Sequence, residues 1–151
     1  MKELLEITKT SRNMVSKLIQ GYTLEQLNKV PAGFNNNLIW NVGHIVVTQQ
    51  LLVYKLAGLP MMISDELVKK YMKGTKTEHQ ATQEEVDEIL SLLHATVEQT
   101  AKDIDNNLFQ NFTEYPTSTG FVLKSNADSM EFNNFHEGLH IGVIMAIRKL
   151  V

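Results

Sequence analysis

The chain has 151 residues, of which 43% are apolar and 21% are charged, and its formal net charge is −3. These values are ordinary for a globular protein with one core, so we expect residues 1–151 to form a single domain. No cluster of basic residues is present, which argues against nucleic-acid binding. The absence of cysteine excludes disulfides, thiolate metal ligands and a cysteine nucleophile, so any metal must be held by nitrogen and oxygen atoms.

The distribution of apolar residues also argues against a membrane partner. No apolar run approaches the roughly 18 residues that a membrane-spanning helix needs. The first residues, MKELLEITKTSRN, include Glu3 and Glu6 and lack the long apolar core of a secretory signal. We therefore expect a cytoplasmic location.

Four segments show the apolar spacing that is typical of α-helices, and the first two lie in the N-terminal half. One covers about residues 2–20 and ends at Gly21. Its expected buried stripe consists of Leu4, Thr8, Ser11, Val15 and Leu18. The next covers about residues 36–57, follows three asparagines that suit N-caps, and ends at Gly58 and Pro60. Its apolar positions alternate four and three apart, as in helix bundles, at Leu38, Val42, Ile45, Gln49, Leu52 and Leu56.

The other two helices are predicted in the C-terminal half. The third covers about residues 83–108, and Thr82 with Glu85 forms a capping-box pattern at its start. The fourth covers about residues 127–150 and starts near Ser125. The residues expected to face inward on it are Phe132, Phe135, Leu139, Val143, Ala146 and Leu150.

Two connections between these helices are long. Residues 58–81 are expected to contain a short helix over 65–72, capped by Ser64, and residues 109–124 a brief extended stretch over 121–124. Loops of this length either carry function or only span the ends of a bundle, and the sequence leaves both readings open. The elements together predict an all-α fold, a four-helix bundle with long inter-helix loops.

The histidine spacing indicates a metal site. His136 and His140 are four apart in FHEGLHIG, which places them one turn apart on one helix face. His44, in WNVGHI on another helix, would complete a three-His set of the kind that leaves coordination positions open. At about 100° per residue, His44 lies roughly 120° from the centre of its apolar stripe, and the other two lie roughly 40° and 80° from theirs. These angles suit the wall of a cleft, although a purely structural role for the histidines is the alternative.

The string HEGLH also matches the zinc metalloprotease pattern, in which both histidines bind zinc and the glutamate is the general base. Only eleven residues follow His140 in this chain, and none of them is His, Asp or Glu, so we do not expect a metalloprotease. Glu137 remains a candidate general base, a candidate hydrogen-bond partner of an imidazole, or a solvent-facing residue. His79 lies in a charged loop and His94 has no partner at four-residue spacing, so for both we expect an ordinary solvated or hydrogen-bonded side chain.

At these residues the chain resembles the DinB-like family, the DinB/YfiT superfamily, over nearly its full length. The resemblance is carried by PAGFNNNLIWNVGHI, with Trp40 and His44, and by HEGLHIG, with His136, His140 and Gly142. It implies a four-helix bundle of up-down-down-up connectivity, a divalent metal on the three histidines, a cytoplasmic location and a homodimer. Some family members are thiol-dependent transferases or isomerases that use a low-molecular-weight thiol, and others are described as metal-dependent hydrolases.

The resemblance and the histidines together predict a divalent-metal-dependent enzyme acting on a small-molecule substrate, as a thiol-dependent S-transferase or a related transferase. Because the chain has no cysteine, the thiol must be a small molecule. Zinc or nickel is the expected metal, and iron or manganese suits a six-coordinate site. The alternatives are a metal-dependent hydrolase and a non-enzymatic module for stress response or metal sensing.

Five residues are candidates for lining the cleft and binding substrate, because they share helix faces with the histidines. They are Trp40, Asn37, Asn41, Thr48 and Asn133. Each has an equally good structural explanation, as an N-cap, a packing residue or a surface residue.

Overall fold

The computed structural model describes residues 1–151 and confirms the all-α four-helix bundle. The four long helices are α1 (Lys2–Ile19), α3 (Leu38–Gln49), α5 (Gln83–Asp105) and α6 (Asn126–Ile147). The connections contain two short helices and one antiparallel strand pair, namely α2 (Leu24–Asn28), α4 (Asp65–Tyr71), β1 (Tyr115–Pro116) and β2 (Val122–Leu123). None of the helices combines the length and the hydrophobicity that crossing a membrane requires.

Side-chain caps begin most of these helices, as their sequences predict. In each case a side-chain oxygen accepts a hydrogen bond from the backbone N–H three residues later, which satisfies a donor that the helix leaves free. The capping residues are Asn37, Ser64, Thr82 and Ser125. Helix α2 was not predicted, because five residues are too few to show periodicity. Its start does carry a signal, since Thr23 and Gln26 form a reciprocal capping box.

Helix α1 packs against α5 and α6, and so does α3, so that α1 and α3 occupy opposite corners of the bundle. Hydrogen bonds between the helices show their relative directions. Thr8 bonds with Asn134 near the start of α1, and Tyr22, just beyond its end, donates to the carbonyl of Arg148. The later residue at the α1 end pairs with the later residue at the α6 end, so α1 and α6 run parallel.

Helix α3 runs antiparallel to α6. Asn41, near the start of α3, bonds with His140, whereas the carbonyl of Leu52 accepts a hydrogen bond from Ser129, near the start of α6. This crossing brings the middle of α3 to the middle of α6.

Helix α3 runs parallel to α5, because Gln49 bonds with Thr100, and Tyr54, further along, bonds with Asp103. In chain order the four helices therefore run up, down, down and up, which confirms the connectivity that the family resemblance implied. Two consecutive parallel helices need a crossover along the bundle's length, and this explains why residues 58–81 form a long connection.

The second predicted helix is not a continuous α-helix. It ends at Gln49 and continues as a π-helix over Gln50–Lys55. Gln49 and Gln50 are both buried; Gln50 donates to Gln49 and accepts from the backbone N–H of Met62. Such π segments are rare and often lie near functional sites.

The predicted inward face of α6 is wrong. Phe135 and Leu139 are each 53% exposed and Leu150 is 50% exposed. The buried residues of α6 are instead Ser129, Met130, Asn133, Glu137, Ile141, Ile144 and Ile147. A buried arginine on α1 pairs with Glu137, so that a partly polar face turns inward, while Val143 of the predicted stripe still packs against the edge of the core.

The predicted stripe of α1 is also displaced. Its buried residues are Leu5, Thr8, Arg12, Val15 and Ile19, so Leu4, Ser11 and Leu18 are only partly buried. The buried stripe is thus displaced by one position at three places, with Leu5 for Leu4, Arg12 for Ser11 and Ile19 for Leu18. Helix α5 ends at Asp105, three residues earlier than predicted, and Leu108 beyond it is 46% exposed.

Candidate metal centre

The antiparallel crossing of α3 and α6 brings the three predicted histidines together. The ligand atoms that His44, His136 and His140 offer all lie within 4.8 Å of one another. The Nε2 atoms of His44 and His136 are 3.1 Å apart. The sequence placed two of these residues on one helix face, and the helix crossing adds the third.

Hydrogen bonds on the far side of two rings decide which nitrogen atoms face the centre. Nδ1 of His44 donates to the backbone carbonyl of Tyr71 at 2.5 Å. Nδ1 of His140 donates to Oδ1 of Asn41 at 2.8 Å, and the amide of Asn41 itself donates to the carbonyl of Asn37. Each ring is thereby held as the neutral tautomer whose Nε2 carries a lone pair, the form that binds metal ions.

The third ring also fits a metal ligand. If Nε2 of His136 is unprotonated, its lone pair faces that of His44 across 3.1 Å, which is unfavourable unless a cation lies between them. Two imidazole nitrogens bound to one metal ion at 2.0–2.1 Å lie roughly 2.8–3.4 Å apart for octahedral or tetrahedral angles. Nδ1 of His136 is buried and has no hydrogen-bond partner in the protein. The donor set therefore suits a divalent metal ion.

The surroundings keep these imidazoles uncharged at neutral pH. Burial is the main cause that lowers the pKa of His136 to about 3, and His140, His44 and Arg12 lower it further. Burial and the neighbouring His44 lower the pKa of His140 to about 4. Burial also lowers the pKa of His44, against the hydrogen bond to Tyr71. Because a metal ion binds only the neutral ring, protons do not compete at pH 7.

The long connection between α3 and α5 holds His44 in place. The ring of Tyr71, at the end of α4, lies against Gly43, where a Cβ atom would come within 2.6 Å of it. The phenol of Tyr71 donates to Glu85 at 2.7 Å. The tyrosine whose carbonyl holds His44 is therefore anchored at both ends, so this loop serves the site as well as crossing the bundle.

Four of the five candidate substrate residues are buried, and none of these four lies in the wall of the cavity described below. Trp40 stacks on His44, with ring centroids 4.6 Å apart and an interplanar angle of 12°. Asn37 is the N-cap of α3. Asn133 donates to Glu137 at 2.9 Å. Asn41, which orients His140, is buried too.

Glu137 faces away from solvent, so the solvent-facing alternative is wrong. It is fully buried, and both of its oxygens accept hydrogen bonds from Arg12 at 2.8–3.1 Å. Arg12 also donates to the carbonyls of Leu93 and Ile45 and to Thr96. Both carboxylate oxygens of Glu137 are therefore engaged in hydrogen bonds within the core. In the sequence, Arg12 lies four residues after Thr8 and three before Val15, which is the spacing of a buried helix stripe. This spacing is the signal that could have indicated a buried arginine.

A cavity of about 550 Å³ opens beside the histidines, between the π-helix, α4, the strand pair and α6. His136 and Thr48 lie in its wall, and the Thr48 hydroxyl is 3.4 Å from Nε2 of His44. Phe132, Phe135 and Leu139 of α6 line it as well, which explains why these apolar side chains lie outside the core.

The remaining two histidines take no part in the cluster. Nε2 of His94 bonds with the hydroxyl of Ser16 at 2.8 Å, and His79 is on the surface, 4.0 Å from Glu85. His94 is thus hydrogen-bonded and His79 is solvated, the ordinary roles expected for these two side chains.

Comparison with known proteins places the chain in a family. The family model described as the DinB superfamily matches residues 7–144, which include all four long helices in whole or in large part and all three clustered histidines. No curated protein sequence matches the chain. On the strength of a match over most of its length, the chain belongs to the DinB superfamily.

Proposed function

We propose that the protein is a divalent-metal-dependent enzyme that transfers a low-molecular-weight thiol to a small-molecule substrate. The supporting observation is that three neutral imidazoles converge beside a cavity of about 550 Å³. His44, His136 and His140 would hold the metal. Three protein ligands leave coordination positions for exchangeable groups, as in catalytic rather than structural metal sites.

When bound, a divalent metal acts as a Lewis acid that lowers the pKa of a coordinated thiol or water. Nitrogen ligands suit zinc or nickel, and iron or manganese in a six-coordinate site. The thiol must come from solution because the chain contains no cysteine.

Residues around the site orient two of the imidazoles and would contact the substrate. Tyr71, Asn41 and Trp40 fix two of the imidazoles, so that the ligand atoms need little rearrangement. The hydroxyl of Thr48 lies in the cavity wall next to His44 and is available to hydrogen-bond a substrate. The apolar wall of the cavity would exclude water from the reacting groups.

Glu137 bears on the choice between transfer and hydrolysis. A hydrolase needs a group that accepts a proton from the attacking water, and the sequence offered Glu137 for it. Because Glu137 is paired with Arg12 in the core, it is unsuited to that task, which favours transfer of an already acidic thiol. The family resemblance also supports the proposal of a cytoplasmic homodimer.

Elemental analysis of untagged protein, purified without chelator, tests the metal site. The samples are wild type, His44→Ala, His140→Ala and the control His94→Ala, whose histidine is outside the cluster. We expect near-stoichiometric metal in wild type and in the control, and its loss from the other two. No metal in wild type after reconstitution with zinc, nickel and manganese would refute the proposal.

A transfer assay then tests the activity. The metal-loaded protein is mixed with cysteine or glutathione and the electrophile 1-chloro-2,4-dinitrobenzene, and formation of the thioether is followed by absorbance. We expect turnover that is absent in His44→Ala. Ester hydrolysis without thiol transfer would support the hydrolase, and bound metal without any turnover would support a sensing or binding module.

A further inference from the structure

We propose that the cavity beside the histidines selects a small anionic substrate with an apolar body, whose negative group pairs with Lys55 and Lys73. The inference rests on the proposed function in one respect, namely that the ligand's reacting atom meets the three histidines. The binding preference itself arises from residues that do not contact the metal.

The walls of the cavity are suited to an apolar body. Nine of the sixteen lining residues are hydrophobic, and its volume of about 550 Å³ is within the usual range for small-molecule sites. Leu51, Val68, Met72, Phe132 and Leu139 come from three different elements and face one space. Leu139 is 53% exposed, so a ligand with an aromatic or aliphatic body would remove apolar surface from water.

The charge of the cavity has one sign. Lys55, at the end of the π-helix, and Lys73, just after α4, are its only lysines, and no carboxylate lines it. The ammonium group of neither lysine has a hydrogen-bond partner or lies within 4.0 Å of an acidic side chain, in contrast to Lys70, which pairs with Glu85. Two unpaired ammonium groups beside an apolar wall attract an anion and disfavour a cation.

The position of the cavity connects this preference to the reaction. His136 and Thr48 belong to the same wall, and the Thr48 hydroxyl is 3.4 Å from Nε2 of His44. A molecule held by the lysines and the apolar wall therefore lies next to the candidate metal centre. A fully polar ligand would leave the apolar wall without a partner, and a cation would be repelled by the ammonium groups of the two lysines.

Three probes with one ring system and different charges test the preference. They are 1-naphthaleneacetate, the neutral 1-naphthaleneacetamide and the cationic 1-naphthalenemethylamine, titrated calorimetrically into the protein as purified and after metal loading. We expect the acetate to bind tightest and the amine weakest. In Lys55→Met/Lys73→Met, which keeps the apolar stems, the acetate should lose roughly tenfold in affinity while the amide changes less than about twofold.

The control variant is Lys69→Met, which removes a lysine of α4 outside the cavity wall and should leave all three affinities unchanged. Equal binding of acetate and amine, or an equal loss in the control, would overturn the proposal. A third outcome would also overturn the proposal. If no probe binds, and if the protein is a dimer that becomes monomeric in Phe135→Ser, this face is a contact between two copies of the chain.

The two proposals fail in distinguishable ways. A lysine-dependent preference for the acetate in protein that takes up no metal even after reconstitution would refute the enzyme and leave the anion site. Near-stoichiometric metal with no charge preference would refute only the anion site.

Discussion

Asn41 shows how a single side chain decides the chemistry of another. Its Oδ1 accepts from Nδ1 of His140, and its amide group is fixed by the carbonyl of Asn37. Because the amide cannot turn without losing that bond, His140 must present Nε2 to the centre. In the sequence Asn41 could only be recognised as a neighbour of His44 on one helix face.

Replacing Asn41 tests this role. In Asn41→Ala we expect metal affinity to fall roughly 10- to 100-fold, because the ring of His140 loses both its tautomer and its orientation. The measurement is a competition titration against a chromophoric chelator. Asn13→Ala, at an exposed position of α1, is the matched control and should bind metal as wild type does. Unchanged affinity in Asn41→Ala would show that the hydrogen bond does not position the ring.

The histidines themselves could be predicted because a spacing of four is a property of the helix alone. Thr48 was predicted for the same reason, and it does line the cavity. The contributions of Tyr71 and Arg12 could not be predicted, since neither lies near a histidine in the sequence. Their contacts exist only because distant segments pack against α3 and α6.

At the scale of elements, the contact between α3 and α4 depends on one glycine. Gly43 precedes His44, and the ring of Tyr71 occupies the space that a side chain would fill. The close approach lets the Tyr71 carbonyl reach His44. Gly142 lies two residues after His140, but only Gly43 has a neighbour within reach of an added Cβ atom.

These two glycines form a matched pair for substitution. In Gly43→Ala the new Cβ would overlap the Tyr71 ring, so we expect a loss of about 1–3 kcal/mol in the free energy of unfolding together with weaker metal binding. In Gly142→Ala no atom lies within 4 Å of the new Cβ, so we expect the free energy of unfolding to rise by up to about 1 kcal/mol because alanine favours the helix. Urea unfolding measures both. Equal effects in the two variants would contradict the proposed contact.

Helix α6 shows why amphipathic patterning misled the prediction of its buried face. Apolar side chains that border a ligand cavity have the same spacing as side chains that enter a core. Pattern reasoning assigns the most apolar stripe to the core, whereas Phe132, Phe135 and Leu139 line the cavity. The inward face includes Asn133 and Glu137, which become tolerable in the core only through Arg12.

At the scale of the whole molecule, Arg12 connects all four long helices. It belongs to α1, forms a fully buried ion pair with Glu137 of α6, and donates to backbone carbonyls of α3 and α5. A buried pair of this kind contributes little net stability relative to apolar residues, but breaking it leaves an uncompensated charge in the core.

We therefore expect Arg12→Met and Glu137→Leu each to lower the free energy of unfolding by about 3–5 kcal/mol, and the double variant to lose clearly less than the sum. Urea denaturation of the four proteins gives the coupling. As a control, Lys2→Met removes an ion pair with Asp105 on the surface, where the effect should stay below about 1 kcal/mol. Strict additivity in the core pair would contradict a direct interaction.

The lowered pKa values of the histidines make the stability of the metal-free protein depend on pH. In the unfolded chain a histidine takes up a proton near pH 6.5, whereas in the folded protein the pKa of His140 is about 4 and that of His136 about 3. Between these values the unfolded state binds more protons, so the free energy of unfolding falls as the pH falls from about 6.5 towards 4. Each histidine contributes at most about 1.4 kcal/mol per pH unit.

Urea unfolding of chelator-treated protein at several pH values in this window measures the effect. His136→Gln/His140→Gln is the control, because it removes the two groups and should flatten the dependence. An equally steep loss of stability in this variant would assign the pH dependence to other groups.

The helices, most of their caps and the pairing of His136 with His140 could be predicted from the sequence, because propensity, capping and helical spacing act over a few neighbouring residues. The family and the part of His44 in the cluster were predicted from motifs on two separate segments. The buried faces, the pairing of Arg12 with Glu137 and the cavity beside the site appear only in the folded protein. These features depend on how α3 and α6 cross and on charges that meet across the core, and burial is a property of the assembled bundle that no single segment possesses.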